Sequence, residues 1–305
     1  MRFALSKQHW GLSMAEQNGN PKQTGLLLIG MGPGGVGSMT ADAVAAATAA
    51  DLRYYEAYTA LWPATELAEL EKVIGRIEKV MRPKIEHPDE ILNLAAEQLV
   101  AILIVGDPLQ ATTHIDLQLQ AEERNITCEI LHGISITNLV TGAVGLSNYK
   151  FGRQTTLTYA YSGWIATSPL EVIAINRLLG HHTLALLDLD PTGSGEGQQK
   201  PMSPRDAAEV IHLMLNKVKE EVGHTEENGQ LVELKQHALA EITSLDTELL
   251  PVVLCSDMGT KDQMIIYTTL GGLANLPGGR MNCLVFPAIT SDVEEKALLR
   301  WVKEE

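Results

Sequence analysis

The stretch LLLIGMGPGGVGSMT, residues 26–40, decides the fold of this chain. Four apolar residues at 26–29 predict a buried strand. The segment that follows is rich in glycine, which lets a backbone turn with positive φ and lets a ligand approach closely. Thr40 then begins an alanine-rich helix over residues 41–50. A strand, a glycine turn and a helix start in this order are typical of a site for a nucleotide-like ligand.

The glycine spacing leaves the kind of ligand open. Gly30, Gly32 and Gly35 satisfy the pattern G-x-G-x-x-G, and Asp51 and Glu56 stand about where an acid that binds a ribose would. By itself the segment is compatible with a flavin or nicotinamide dinucleotide, with another adenosyl cofactor, or with an ordinary strand-to-helix turn that binds nothing.

Composition narrows the class of protein. The chain has 305 residues, enough for two domains, and its 45% hydrophobic content supports a large core. Its net charge of −15 disfavours binding to nucleic acid or to an anionic membrane. No apolar run is as long as a membrane span, and residues 1–24 lack the apolar segment of a secretory signal. We therefore expect a soluble protein that binds neither nucleic acid nor a membrane.

The cysteines and histidines indicate no metal site. Cys128, Cys255 and Cys283 are isolated in sequence, which favours buried, inert thiols in a reducing compartment. The nine histidines show no ligand spacing, since His181 and His182 are adjacent and would point to opposite sides of a strand. We predict that the protein binds no metal.

Strand and helix patterns alternate after the glycine turn, which predicts an α/β protein with a mostly parallel sheet in its first half. Residues 89–99 have helical periodicity, and VAILIV at 100–105 predicts a strand covered on both faces. The character changes after Ser135, so we place a domain boundary near residue 140. The predicted organisation is a poorly ordered extension at 1–24, a cofactor-binding domain at 25–140 and a second α/β domain at 141–305, with polar loops at 191–200 and 224–230.

Two further turns follow predicted strands, where ligands sit in open α/β sheets. In GDPLQATTH at 106–114, Asp107 could hold an ammonium or a ribose hydroxyl, or form a structural Asp-Pro turn. His114 is predicted to lie on the surface. In the third turn, Ser135 and Thr137 could bond to a ligand, although a helix start is the favoured interpretation.

Together these motifs resemble those of the tetrapyrrole-methylase-like (class III) methyltransferases. GMGPGGVGSMT resembles their first motif, and GDPLQATTH with YKFG at 149–152 is similar to the narrower diphthine synthase family. YEAYTAL at 55–61 and HTLALLD at 182–188 agree with that family, and MSPRDAAEVI at 202–211 and KDQ at 261–263 agree more weakly. The resemblance extends from about residue 25 to the C-terminus.

The resemblance implies two α/β domains with S-adenosylmethionine in the cleft between them, and a cytoplasmic homodimer. It implies that eight residues bind the cofactor: Pro33, Asp107, Gln110, Ser135, Ile136, Leu187, Met258 and Asn282. In two positions the chain departs from the family, which commonly has arginine where Asp257 stands and histidine where Asn282 stands.

The activity that the resemblance implies is N-methylation in diphthamide biosynthesis. The substrate would be translation elongation factor 2 with a 3-amino-3-carboxypropyl group on one histidine, whose amine receives the methyl groups. The alternatives are a related methyltransferase that acts on a tetrapyrrole or on RNA, a dinucleotide oxidoreductase, and a cofactor-binding homologue without catalysis. No residue in the sequence is evident as the general base.

Overall fold

The structure, a computed structural model, describes residues 23–194, 199–221 and 229–302, which contain two five-stranded sheets. Residues 1–22 of the predicted extension, 195–198 of the first predicted loop and 224–228 of the second lie outside the described residues. Within the described ranges, no helix combines the length and the apolar character that crossing a membrane requires.

The first sheet is fully parallel, which agrees with the predicted, mostly parallel sheet. Its strands are β1 (Gly25–Gly30), β2 (Leu52–Glu56), β3 (Glu78–Val80), β4 (Leu99–Ile104) and β5 (Cys128–Leu131). They lie in the order β3-β2-β4-β1-β5. The connecting helices are α1 (Ala41–Ala49), α2 (Ala64–Ile74), α3 (Arg82–Glu86), α4 (Asp89–Ala95) and α5 (Ile115–Glu123).

Helices on both faces explain why the central strands are continuously apolar. Every residue of β1 and β4 is buried. Leu27 and Ile29 enter the core on one face of the sheet, whereas Leu26 and Leu28 enter the core on the other. Thr40 caps α1 by accepting a hydrogen bond from the Ala43 amide at 3.1 Å, which confirms the predicted helix start.

The second sheet is mixed. Its strands are β6 (Thr155–Leu157), β7 (Thr183–Leu187), β8 (Pro251–Ser256), β9 (Met264–Thr269) and β10 (Asn282–Phe286), in the order β6-β7-β10-β8-β9. β6 and β7 are parallel and the other pairs are antiparallel. A short connection joins β8 to β9, which an antiparallel pair allows and a parallel pair does not.

Helices also cover both faces of the second sheet. Residues of α7 (Ser168–Leu178), α8 (Pro204–Glu221) and α9 (Gln230–Ser244) share a core with one face, which α10 (Leu270–Leu273) completes. The other face packs against α6 (Ile136–Ala143) and α11 (Asp292–Leu299). The boundary at residue 140 stays a prediction, and it falls within α6, where Val140, together with Val144 just after the helix, packs on the second sheet.

Some predicted elements have different ends in the structure. The helix predicted at 89–99 ends at Ala95, because Leu99 already pairs with Gly25 as the first residue of β4. Apolar periodicity continues through both elements, so it does not reveal the change from helix to strand. The α/β fold class itself is confirmed.

Candidate functional site

A cavity lies where the carboxyl ends of β1 and β4 meet the second sheet. Its walls come from both halves of the chain, from the strand-end turns of the first sheet and from β7, β8 and β10 of the second. The eight residues that the family resemblance assigns to the cofactor all line this cavity: Pro33, Asp107, Gln110, Ser135, Ile136, Leu187, Met258 and Asn282.

Three strand-end glycines, of which Gly106 lines the cavity, bring their turns into close backbone contact. A Cβ on Gly133 would lie 2.2 Å from the Gly106 carbonyl oxygen, and one on Gly30 would lie 2.5 Å from the Gly133 nitrogen. Gly106 itself has φ +78°, and a Cβ there would have its nearest neighbour at 3.9 Å. The Gly106 backbone is therefore bare where it faces the cavity.

Asp107 links the second turn to the third. Its Oδ1 accepts a hydrogen bond from the Leu109 amide at 2.9 Å, which closes the Asp-Pro turn. Its Oδ2 accepts from the Gly133 amide at 3.2 Å and bonds to His132 Nδ1 at 2.8 Å. The buried carboxylate thus forms a structural turn and lines the cavity at once.

The first glycine turn is not arranged to hold a pyrophosphate. The Val36 amide donates to Glu66 Oε2 at 3.1 Å, so a carboxylate stands beside the loop where a dinucleotide would place a phosphate. Asp51 accepts from the Leu99 amide at 2.9 Å, and Glu56 is buried; neither lines the cavity. The dinucleotide interpretation therefore lacks both its phosphate site and its ribose acid.

The first turn instead contacts the second half of the chain. A Cβ on Gly259, at φ +80°, would lie 2.4 Å from Pro33 Cγ. A Cβ on Gly34 would lie 2.3 Å from Thr260 Cγ2. These glycines let the turn after β1 and the turn after β8 approach closely, which closes one side of the cavity.

The third turn is both a helix start and part of the wall. Ser135 caps α6 by accepting from the Thr137 amide at 3.2 Å, and Ser135 and Ile136 line the cavity. The structural interpretation of Ser135 and the family-based one are thus compatible, because the N-terminus of α6 opens toward the cavity.

The prediction that His114 lies on the surface is wrong. Its side chain is 1% exposed and its Nδ1 bonds to the Thr112 hydroxyl, which lines the cavity. Burial lowers the pKa of His114 to about 4. The imidazole is neutral at physiological pH and supports the GDPLQATTH turn from behind.

The opposite wall contains the two positions at which the chain departs from the family. Asp257, at φ +46°, accepts from the Arg280 and Met281 amides at 3.0 and 3.1 Å. Its Oδ1 also lies 3.5 Å from Arg280 Nη2. Arg280 lines the cavity, so a guanidinium is present on this wall although Asp257 is not an arginine.

Asn282 lines the cavity with its polar atoms already bonded. Its Oδ1 accepts from Ser256 Oγ at 2.7 Å and from the Gly279 amide at 2.8 Å. Its Nδ2 donates to the carbonyl oxygens of Met202 and Gly279. The side chain therefore holds the ends of β8 and β10 together.

Two of the three cysteines also lie on this wall. Cys255 and Cys283 are register partners on β8 and β10, and both are buried and line the cavity. A hydrogen bond with Cys283, together with burial, holds the pKa of Cys255 well above its usual value. Cys255 is a protonated, unreactive thiol, as the sequence predicts.

The sequence motif YEAYTAL contributes residues that the prediction did not assign to the site. Thr59, Ala60 and Leu61 line the cavity. Trp62, the next residue, donates from Nε1 to the Gly32 carbonyl oxygen at 2.9 Å and so fixes this segment against the first turn. The motif was the available signal, but its spacing does not reveal which residues face a ligand.

Lys150 of YKFG and His182 of HTLALLD belong to a buried cluster away from the cavity lining. Glu294 on α11 accepts from Lys150 Nζ at 2.7 Å and lies 3.3 Å from His182 Nε2. Since His182 Nδ1 accepts from the Ala288 amide at 3.0 Å, Nε2 carries the proton and donates to Glu294. Lys150 and His182 therefore stabilise the fold of the second half, whereas Leu187 of HTLALLD lines the cavity.

Comparison with known proteins agrees with this geometry. The model of the tetrapyrrole (corrin/porphyrin) methylases matches residues 25–274. A diphthine synthase from Methanoregula boonei is 37% identical over 166 residues, which are 54% of this chain and 66% of that protein, just under two thirds of its length. One from Methanosphaerula palustris is 36% identical over 63% of this chain and 75% of its own length, and one from Methanococcus aeolicus is 27% identical over 90% and 96%.

Solved structures show the same similarity over nearly the whole chain. A crystal structure of diphthine synthase has a TM-score of 0.73 at 25% identity, and the match covers 91% of this chain and 95% of that one. A structure from Entamoeba histolytica, provisionally named a diphthine synthase, has a TM-score of 0.74 at 27% identity and is matched over 93% and 100%. The chain therefore belongs to the tetrapyrrole (corrin/porphyrin) methylase family and, within that family, is similar to the diphthine synthases.

Proposed function

We propose that this protein is a methyltransferase of the diphthine synthase type, which uses S-adenosylmethionine to methylate modified elongation factor 2. The observation that carries the proposal is the convergence of the eight predicted cofactor residues on one cavity between the two halves of a methylase fold. The acceptor would be the amine of a 3-amino-3-carboxypropyl group on a histidine of that factor.

The residues of the cavity fit this cofactor. Leu187 and Met258 offer apolar contacts for an adenine, and the bare backbone at Gly106 admits a ligand at close range. Asp107 and Asp257 give the walls a negative field that suits a cofactor of net positive charge. When bound, S-adenosylmethionine supplies an electrophilic methyl group on sulfur, so alignment of the amine, worth about 7–11 kcal/mol, is the main task of the protein.

Asp107 is proposed to hold the cofactor and not to take the proton. Its carboxylate is already hydrogen-bonded to the Leu109 and Gly133 amides and to His132. Asp107→Asn would place an amide N–H opposite one or two of these donors and so disrupt the turn that lines the cavity. The affinity for S-adenosylhomocysteine should therefore fall together with turnover. Normal affinity with a selective loss of turnover would contradict this role.

Arg280 is proposed to bind the substrate carboxylate. It is a cation on the cavity wall, and its contact with Asp257 is a single approach of 3.5 Å, which leaves other guanidinium N–H groups to donate. The aminocarboxypropyl group carries a carboxylate next to the reacting amine. Binding of that carboxylate by Arg280 would orient the amine toward the methyl group.

The partner and the assembly are also proposals. A net charge of −15 favours a basic surface on the protein substrate, at rates that fall with added salt. We further propose that the protein is a cytoplasmic homodimer, as the family resemblance implies. Light scattering of the purified protein would test whether it is a dimer.

A label-transfer assay tests the proposed function. The protein is incubated with methyl-labelled S-adenosylmethionine and either elongation factor 2 that carries the aminocarboxypropyl group or factor that lacks it. Label on the modified factor alone is the expected result. Equal label on both would refute the diphthamide assignment, and label on a tetrapyrrole or RNA instead would favour a related methyltransferase. Cofactor binding without label on any acceptor would indicate a non-catalytic homologue.

A further inference from the structure

A buried carboxyl group at the end of β2 is connected to the cavity through one hydroxyl. Glu56 has 0% exposure and lies behind the segment that lines the cavity with Thr59, Ala60 and Leu61. Burying a carboxyl group is unfavourable unless its oxygens are hydrogen-bonded, so its partners indicate what the site requires.

The two carboxyl oxygens of Glu56 have different partners. Oε1 accepts from the amides of Tyr58 and Thr59 at 2.7 and 2.9 Å. Oε2 accepts from the Thr59 hydroxyl. Oε1 is therefore bonded to backbone amides, whereas Oε2 is bonded to a hydroxyl that can rotate and redirect its proton. That hydroxyl belongs to Thr59, which lines the cavity.

Methyl transfer to an amine requires a proton acceptor, and the ionisable side chains of the cavity wall are poorly suited to that role. An alkylammonium must lose a proton before its nitrogen attacks. Asp107 already accepts hydrogen bonds from the Leu109 and Gly133 amides. Asp257 already accepts from the Arg280 and Met281 amides and lies 3.5 Å from the Arg280 guanidinium. Cys255 is a thiol whose pKa is raised, which makes it a poor base. A proton acceptor that is protected from water yet linked to the cavity meets the demand.

We propose that the Thr59 hydroxyl receives the proton of the substrate ammonium and passes its own proton to Glu56. Thr59 is the catalytic residue of this relay, and Glu56 acts through it. The freed nitrogen pair forms the N–C bond while the C–S electron pair stays on sulfur, and the proton on Glu56 returns to solvent by the same route after product leaves. This inference rests on the proposed function and adds the base that the sequence does not reveal.

Burial favours proton uptake by Glu56, whereas the charged and hydrogen-bonding groups around it oppose it. Burial raises the pKa of Glu56, against the hydrogen bonds from Thr59 and Tyr58 and the positive charge of Arg82 on α3. The phenols nearby are not competing acceptors, because burial raises the pKa of Tyr55 to about 12 and raises that of Tyr58 as well. Within this cluster Glu56 is thus the carboxyl group that can accept a proton, and its buried position makes it a stronger base than an exposed glutamate.

The competing explanation is that Glu56 merely closes the turn at residues 56–59. Two substitutions separate the explanations. Glu56→Gln keeps a side-chain oxygen for the Tyr58 and Thr59 amides but cannot take up a proton. Thr59→Val keeps the shape of the side chain and removes the hydroxyl. Thr59→Ser restores a hydroxyl and serves as the rescue.

The experiment measures turnover on modified elongation factor 2 at saturating cofactor from about pH 7 to about pH 10, where the free amine loses its proton to solvent. Glu56→Gln and Thr59→Val should each lower turnover by about 10²–10⁴-fold near pH 7, and the loss should shrink toward pH 10. Thr59→Ser should recover most of the activity. The affinity for S-adenosylhomocysteine should stay within about twofold of the wild-type value in all three.

Matched controls use the same substitutions at exposed positions. Glu69→Gln and Thr48→Val, on α2 and α1, should leave the pH profile unchanged. Wild-type turnover by Glu56→Gln near pH 7, or a loss that is equal at every pH, would overturn the relay. If Glu56→Gln does not fold, a wild-type profile for Thr59→Val overturns it alone. Absence of transfer by the wild-type protein would instead refute the proposed function, so the two failures are distinguishable.

Discussion

Replacing Glu294 should destabilise the second half of the protein more than any exposed substitution on the same helix. The carboxylate is 3% exposed and accepts from the Ser147 and Ser291 amides, both at 2.9 Å, besides Lys150 and His182. It joins the segment before YKFG, the residue that precedes β7 and the start of α11, where it completes a capping box with Ser291.

The expected loss in the free energy of unfolding follows from the charge of Lys150, which Glu294→Ala leaves without its partner. Removing one partner of a buried ion pair costs about 3–5 kcal/mol, because the other charge stays buried without compensation. Lys150 is 26% exposed and also donates to the Ile289 carbonyl oxygen at 2.8 Å, which places the loss at the lower end, about 3 kcal/mol. Glu294→Gln keeps an acceptor oxygen and loses the charge, so about 2 kcal/mol is expected.

Urea denaturation followed by tryptophan fluorescence measures these differences, with Trp301 close to α11 as a reporter. Glu295→Ala is the matched control, since this neighbour is exposed and should change the free energy of unfolding by less than about 0.5 kcal/mol. A loss below about 1 kcal/mol for Glu294→Ala, or an equal loss in the control, would refute the reasoning.

The same cluster should make the protein sensitive to acid. Hydrogen bonds from Lys150 and from the Ser291 and Ser147 amides outweigh burial and hold the pKa of Glu294 well below its ordinary 4.5. Its contribution to the free energy of unfolding is therefore complete above about pH 4.5, the ordinary pKa. That contribution is lost as the pH falls through the lower pKa of the folded state. Burial lowers the pKa of His182 below 6.5, so its contribution is present above that pH and is lost on acidification as well. Glu294→Gln should flatten the pH dependence of unfolding below about pH 4.5.

Three further predictions concern the cavity. Gly133→Ala places a Cβ 2.2 Å from the Gly106 carbonyl oxygen and should lower the free energy of unfolding by about 3 kcal/mol, whereas Gly142→Ala, whose Cβ meets nothing within 4 Å, should raise it by up to about 1 kcal/mol; equal urea midpoints would contradict this. His114 has its pKa lowered from 6.5 to about 4, so the fold loses up to about 3 kcal/mol as the pH falls through that interval, and His114→Gln should show a correspondingly smaller drop in urea titrations at several pH values. Arg280→Met should raise KM for modified elongation factor 2 by roughly 10- to 100-fold, with unchanged affinity for S-adenosylhomocysteine in calorimetry; a weaker cofactor affinity and an unchanged KM would assign Arg280 to the cofactor instead.

Local sequence was sufficient for most of the first sheet. β4 and the residues between the end glycines of β1 are all apolar, and a glycine turn follows each strand. Thr40 is a good helix cap, so strand, turn and helix follow from residue type alone. The same local reasoning placed His114 on the surface. That error arose because a polar residue before an amphipathic helix usually faces water, whereas here its imidazole turns inward to Thr112.

Local sequence was insufficient wherever a residue has a partner far along the chain. The pattern G-x-G-x-x-G kept a dinucleotide possible until the Glu66 carboxylate, 30 residues after Val36, proved to bond to the loop. The sequence does not indicate that Arg280 lines the cavity, because its position there depends on its contact with Asp257, 23 residues earlier. A partner close in sequence can be missed as well: Glu56 is a candidate ribose acid by its spacing, whereas in the structure it is a buried carboxyl group that accepts from the Thr59 hydroxyl, three residues away.

The sequence by itself determined the α/β class and the mostly parallel sheet of the first half, which depend on periodicity, and the family, which depends on contiguous motifs. The eight cofactor residues are what the family resemblance implies, and they stay a prediction. The tertiary structure alone decided that those residues share one cavity, that Lys150 and His182 serve Glu294, and which hydroxyl links Glu56 to the site. The physical reason is that hydrogen bonds and van der Waals contacts act over a few ångströms of space, and distance along the chain does not fix distance in space.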